Sequence, residues 1–199
     1  MTISRIGLTA TLLALVAAGS SSDAAAQVSG PGDITIELGG GGSIGGHSSS
    51  AAGLETAAEL SYHALFGYRL SESLSVFGGY ARTAYGCENA YCRTINPVLT
   101  AQHGVVGAEL NRGGGWLRVG AAYGASKGVP AELTQLPPSD PSQGLGALIS
   151  VGTTWGRGAF RARPFLSYLY YLTDDAVAGG GHGIALTAGF GFQFRLVGG

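Results

Sequence analysis

The sequence predicts an all-β protein: an eight-stranded antiparallel up-and-down transmembrane β-barrel following a cleaved signal peptide. Three observations predict it. Apolar residues alternate with small or polar ones at a two-residue period through most of the chain, as in a strand with a different environment on each face. Only 12% of the 199 residues are charged, against about 25% in ordinary soluble domains. The connections between alternating segments are short and long in turn, as in a sheet that threads a membrane with tight turns on one side and loops on the other.

The first segment, Met1 to Ala26, reads as a targeting sequence. Arg5 supplies a basic start, Ile6 to Ala18 an uncharged apolar run, and Ala24-Ala25-Ala26 the small residues of a cleavage site. A spanning helix needs about 20 apolar residues, and this run is shorter, breaking into Gly19-Ser20-Ser21-Ser22. The barrel domain is therefore expected from Gln27 to Gly199, in an exported protein of the bacterial outer membrane.

The strands follow in order. Ile34 to Gly42 alternates weakly. Leu60, Tyr62, Ala64, Phe66, Tyr68 and Leu70 alternate with Ser61, His63, Leu65, Gly67 and Arg69. Leu74 to Thr83 and Gln102 to Leu110 are weaker, while Leu117, Val119, Ala121 and Tyr123 alternate clearly with Arg118, Gly120, Ala122 and Gly124. Ala147 to Trp155 forms a sixth segment and Phe160 to Tyr171 a seventh. The eighth is the clearest: Ile184, Leu186, Ala188, Phe190, Phe192, Phe194 and Leu196 share one face, and Gly183, Ala185, Thr187, Gly189, Gly191, Gln193 and Arg195 the other.

Short turns are expected at Ser71–Ser73, Asn111–Gly115 and Gly156–Gly158, and long connections near 45–56, 85–98, 126–143 and 173–181. The third long connection carries Pro130, Pro137-Pro138 and Pro141, so it is expected outside the sheet. In hydrocarbon an unpaired backbone amide costs several kcal/mol, so a spanning sheet must close on itself. At eight strands the interior is filled by side chains, and inward glycines make room for large neighbours such as Phe165. Pro164 lacks a ladder donor, so a bulge or strand end is expected there. The many aromatics near strand ends are expected to form interfacial girdles, although aromatics favour strands in any sheet.

Taken with the strand count and loop alternation, the last strand, Phe190-Gly-Phe192-Gln-Phe194-Arg-Leu196, resembles the small outer-membrane β-barrel superfamily of the OmpA transmembrane domain, OmpX and the opacity proteins. The resemblance covers roughly Asp33 to Val197 and is architectural. It implies that outer-membrane lipid and the outer-membrane assembly machinery are partners, with the aromatic last strand as assembly signal. The chain departs from the family pattern by ending Leu196-Val197-Gly198-Gly199, without a terminal aromatic.

Alternation places Glu37, Arg69, Glu109, Arg118, Arg161, Arg163 and Arg195 inside. Charges in a narrow interior must pair or meet water, and the guanidinium fork pairs bidentately with carboxylates. A lumen network centred on Glu37 and Glu109 is expected, which accounts for a cation set of ten arginines and the single Lys127. Such a network either fills the lumen or gates a narrow path. With arginines in excess inside, any leak would prefer anions.

Cys87 and Cys92, four residues apart, are expected to form a disulfide at a loop tip, the default in an exported protein. Two thiols without a nearby histidine do not complete a metal site, and no two histidines have metal-ligand spacing. No cofactor is expected: there is no phosphate loop, and Gly39 to Gly42 does not sit between a strand and a helix. With a formal net charge of −1 there is no case for nucleic acid.

Four functions compete. The leading one is a non-enzymatic structural or surface-interaction barrel that displays its loops to an unidentified extracellular ligand. The second is a narrow channel for small solutes. The third is a lipid-modifying enzyme using His47 and Ser48, with Glu55 nearby, although a Gly- and Ser-rich loop gives catalysis little rigid support. The fourth is a soluble lipocalin-type barrel, with the apolar face lining a cavity. The polar face is mostly Gly, Ala, Ser and Thr, too poor in charge for a soluble exterior.

Overall fold

In the computed structural model, residues 31–47, 56–87, 98–127, 142–156, 158–173 and 181–197 are described. They form eight strands: β1 (Ile34–His47), β2 (Thr56–Arg69), β3 (Leu74–Cys87), β4 (Val98–Arg112), β5 (Gly115–Lys127), β6 (Ser142–Thr153), β7 (Phe160–Thr173) and β8 (Gly181–Val197). Each pairs antiparallel with its neighbours in sequence, and β1 pairs with β8 to close the barrel. Among the described residues no helix is long and apolar enough to cross a membrane. The segment to Ala26, the Ser48 and Glu55 positions, Cys92 and the proline-rich connection lie outside the described residues, as does the side chain of Cys87.

The strands run further than their alternation suggested. β1 continues through the glycine run to His47, held on both sides by ladders that pair Gly42 with Leu60 and with Ala188. Backbone pairing from two neighbours overrides a sequence that by itself has little strand propensity. The β4–β5 hairpin closes on two residues, Gly113 and Gly114, at φ +57° and +83°. Two positive φ values in succession make the turn whose twist matches the flanking strands, and glycine reaches it without a Cβ penalty. The β6–β7 connection differs from expectation. β6 ends at Thr153, and Trp155 is held by an isolated bridge to Ala162.

Pro164 has a one-sided effect. Its pairing with Phe190 on β8 continues without a register shift. On the other side, the β6–β7 ladder stops at Gly152–Phe165. The missing donor is thus accommodated where the sheet opens toward the short-turn end, and no bulge forms at Pro164. Register shifts occur elsewhere: one between β1 and β8 at Ile34–Thr35, and a bulge between β2 and β3, where three residues, Glu59, Leu60 and Ser61, face two, Thr83 and Ala84. Ser61 Oγ accepts from Ala84 N at 2.9 Å and satisfies the amide that the bulge frees.

The inside is close-packed. Leu65, Phe77, Ala101, Val105, Ala122, Leu169 and Tyr171 form its apolar cluster. Glycines set the available room: at Gly39, a Cβ would meet the imidazole of His63. Replacing Gly39 by alanine is expected to displace that ring and lower stability by about 1–3 kcal/mol, the usual cost of overpacking. Gly42 faces outward with nothing within 4 Å of its Cβ position, so alanine there is expected to be neutral. Denaturant midpoints of the two variants folded in detergent micelles check the difference.

Candidate functional site: the lumen lattice and the outer wall

Four of the seven inward charges meet at one level of the lumen. Glu37 (β1), Glu109 (β4), Arg118 (β5) and Arg163 (β7) point inward because each occupies the same parity as its strand's buried residues. Arg118 clamps Glu37 with two bonds, Nη1 to Oε1 at 2.8 Å and Nη2 to Oε2 at 2.6 Å. Its Nε donates to Glu109 Oε2 at 2.6 Å. Arg163 Nη1 donates to Glu37 Oε2 at 2.7 Å, and its Nη2 makes an ion-pair contact with Glu109 Oε2 at 3.0 Å without an aligned hydrogen bond. His63 Nε2 lies 3.0 Å from Glu37 Oε1. Two carboxylates thus face two guanidiniums, all four buried. Formal charge cancels within the lattice, which is what makes buried ions tolerable.

Trp116 completes it. The guanidinium of Arg118 lies 4.7 Å and that of Arg163 4.2 Å from its ring centroid, and Trp116 Nε1 donates to Thr153 O at 3.1 Å. The Phe77 ring centroid lies 5.4 Å from the Arg118 guanidinium. These cation–π contacts cover the parts of the guanidiniums that no carboxylate reaches. Alternation extended one step below Arg118 would have put Trp116 inside. It marks which face Trp116 takes, but nothing in it marks the contact with Arg163.

The other three arginines do not join this lattice. Arg69, Arg161 and Arg195 lie nearer the short-turn mouth, because residues on one strand face recur only every 6–7 Å or so along the chain. Arg195 Nη1 is 3.6 Å from Asp33 Oδ2, Arg69 Nη1 donates to Glu72 O at 2.8 Å, and Arg161 sits within electrostatic reach of Arg69, Arg195 and Asp33. The single network expected from sequence is therefore two clusters. Asp33, a third buried carboxylate just before β1, was not foreseen. It lies outside the alternating run, so periodicity carries no signal for it. The excess of arginine over carboxylate belongs to the mouth and not to the lattice.

Small cavities flank the lattice. One of about 40 Å³ lies toward the long-connection end, lined by Ser61, Thr83, Ser150, Ser167 and Thr187. Another of about 20 Å³ lies toward the turns, beside Thr35, Arg69 and Ser75. Each has room for a water or two. Arg118 lines both, so the lattice is the partition between them. His103 is buried elsewhere in the lumen, 5.3 Å from the Tyr171 ring. Among the described residues no group of three or more His, Cys, Asp or Glu is placed to hold a metal.

The outer wall is greasy. Phe190, Phe192 and Phe194 are 51%, 45% and 40% exposed, while Thr187 and Gly191 on the other face of the strand are buried. Phe160 stacks on Phe192 with centroids 5.7 Å apart and tilts against Phe194 at 5.2 Å, and Trp155 meets Phe190 edge-on at 6.2 Å. Leu60, Phe66, Val106, Leu145 and Ile149 are likewise exposed on their strands. A continuous apolar wall of this extent exceeds what a water-soluble monomer displays.

Comparison with known proteins places the fold. No family model matches the chain, and no curated protein matches it. Among solved structures, Neisserial surface protein A is similar over 82% of this chain and 97% of its own, at 14% identity and a TM-score of 0.53. AlkL, an outer-membrane protein whose structure was determined in DMPC lipid bilayers, is similar over 90% of this chain and 96% of its own, at 13% identity and a TM-score of 0.50. These likenesses are of fold.

Proposed function

We propose that this chain, which has the fold of the small eight-stranded outer-membrane barrels, is a bacterial outer-membrane protein. Its lumen is sealed by the Glu37–Arg118–Glu109–Arg163 lattice, and it acts without enzymatic chemistry through its long connections. The observation that carries the reading is the inside-out distribution of residues: ion pairs and small residues in the lumen, an aliphatic and aromatic skin outside. Water outside and ligand inside would demand the reverse. Short turns close one end of the barrel and the long connections leave the other, which supports a periplasmic end and an external end. That AlkL was determined in a lipid bilayer agrees with a wall built for acyl chains.

Lipid is the first partner on this reading, the outer-membrane assembly machinery the second, and an external ligand of the connections the third. Cell fractionation tests the location: the protein is expected in the outer-membrane fraction and to migrate faster unheated than boiled on a gel. Recovery in the soluble periplasmic fraction would overturn it. Planar-bilayer recording tests the seal. The wild type is expected to be silent or nearly so, whereas Arg118→Ala, which removes the partition shared by the two cavities, is expected to raise ion leakage. A wild type that conducts steadily would favour the narrow-channel reading.

A further inference from the structure

Among the described residues, the outward face of β3 carries one charge, Arg82. Arg82 on β3 has the outward parity of Val76 and Tyr80, and it is paired with the exposed Tyr62 on β2 and the exposed Gln102 on β4. Eight residues separate it from Leu74 at the short-turn end; at about 3.3 Å per residue and a tilt of about 40° this sets it about 20 Å up the wall. The apolar band of such barrels is about 25 Å tall, so Arg82 stands near its edge on the long-connection side.

The side chain is held in place there. Arg82 Nη1 donates to Leu60 O at 3.2 Å, a carbonyl within the β2–β3 bulge. Its guanidinium lies 5.6 Å from the Tyr62 ring centroid, and Tyr62 stands 6.3 Å from Tyr80. A guanidinium has five donors, and the Leu60 carbonyl takes one. Positioned over an aromatic at the rim of a hydrocarbon band, a guanidinium suits a planar, bidentate anion, and tyrosine hydroxyls beside it can add donors.

We propose that Arg82, Tyr62 and Tyr80 form a binding site for the phosphate of a phosphorylated glycolipid in the leaflet at the long-connection end. Charge complementarity selects the occupant: within reach of this rim, anions are carried by lipid headgroups, and on the external side of an outer membrane these are phosphorylated glycolipids. The inference rests on the outer-membrane reading above.

Native mass spectrometry of the full chain folded in detergent micelles tests it, with bisphosphorylated lipid A and the same lipid A stripped of phosphate as probes. The wild type is expected to retain the phosphorylated form with a preference of about tenfold or more, the size of a charge-assisted hydrogen bond. Arg82→Gln is expected to lose that preference, Arg82→Lys to keep part of it, and Arg112→Gln, at the β4–β5 turn, to keep all of it. An Arg82→Gln protein with undiminished preference would overturn the proposal. So would displacement of the lipid by excess inorganic phosphate, which would mark a site for free anions. Gel mobility of the same samples, heated and unheated after insertion into lipid, reports separately on the outer-membrane reading. An inserted barrel without lipid preference sinks the glycolipid site alone, and a barrel that does not insert sinks both.

Discussion

Glu37→Ala is expected to lower stability by about 3–5 kcal/mol, the cost of removing one partner from a buried ion pair. Glu37 is the hub of the lattice. It accepts two bonds from Arg118 and one from Arg163, and its Oε1 is also 3.0 Å from His63. Without it the remaining lattice holds two guanidiniums against Glu109 alone, with an uncompensated positive charge in a closed lumen. Glu109, which contacts the same two arginines through one oxygen, is expected to cost less when removed. Denaturant unfolding in micelles measures both, and a Glu37→Ala,Arg163→Ala double variant is expected to fall short of the sum of its singles because the two side chains share a bond. A Glu37→Ala protein within about 1 kcal/mol of wild type would mean that the lattice is incidental to stability, since exposed ion pairs are worth no more than that.

Val106→Arg is expected to be nearly as damaging, for the opposite reason. Val106 sits mid-strand on β4, paired with Gly78 and Ala121, and is 63% exposed. On a water-washed surface such a change stays within about 0.5 kcal/mol. At the midplane of a bilayer an outward arginine costs about 2–4 kcal/mol. The folded fraction in lipid vesicles, read by the gel shift, should fall for Val106→Arg and recover for Val106→Leu. A neutral outcome for arginine would remove the lipid from around the wall and return the soluble-barrel reading. Arg82 shows why depth matters, since on the same outward face it is carried near the rim, with a carbonyl and a tyrosine ring beside it.

The predictable parts of this molecule are those written into two-residue periodicity. Phe190, Phe192 and Phe194 had to share a face, and so did Arg161, Arg163 and Phe165. The inward set Glu37, Glu109, Arg118 and Arg163 follows from parity alone. What parity cannot give is height. Arg163 and Arg161 are neighbours on one face, yet Arg163 bonds Glu37 while Arg161 stays with the mouth cluster. That division depends on how far each strand is staggered against the next, and the stagger is a sum of eight pairings around a closed ring. The glycine run of β1 had weak local propensity, and it is strand because β2 and β8 pair with it.

The sequence by itself determined that this is an all-β chain with one apolar and one small or charged face, and that its charges belong to the minority face. Burial of backbone polar groups then forces closure. Only the tertiary structure decided which arginine meets which carboxylate, that Asp33 and Trp116 take part, and that Leu60's carbonyl, in a bulge, accepts from Arg82. The physical reason is that alternation is a property of one strand, whereas a contact across a lumen is set by the register of all of them at once.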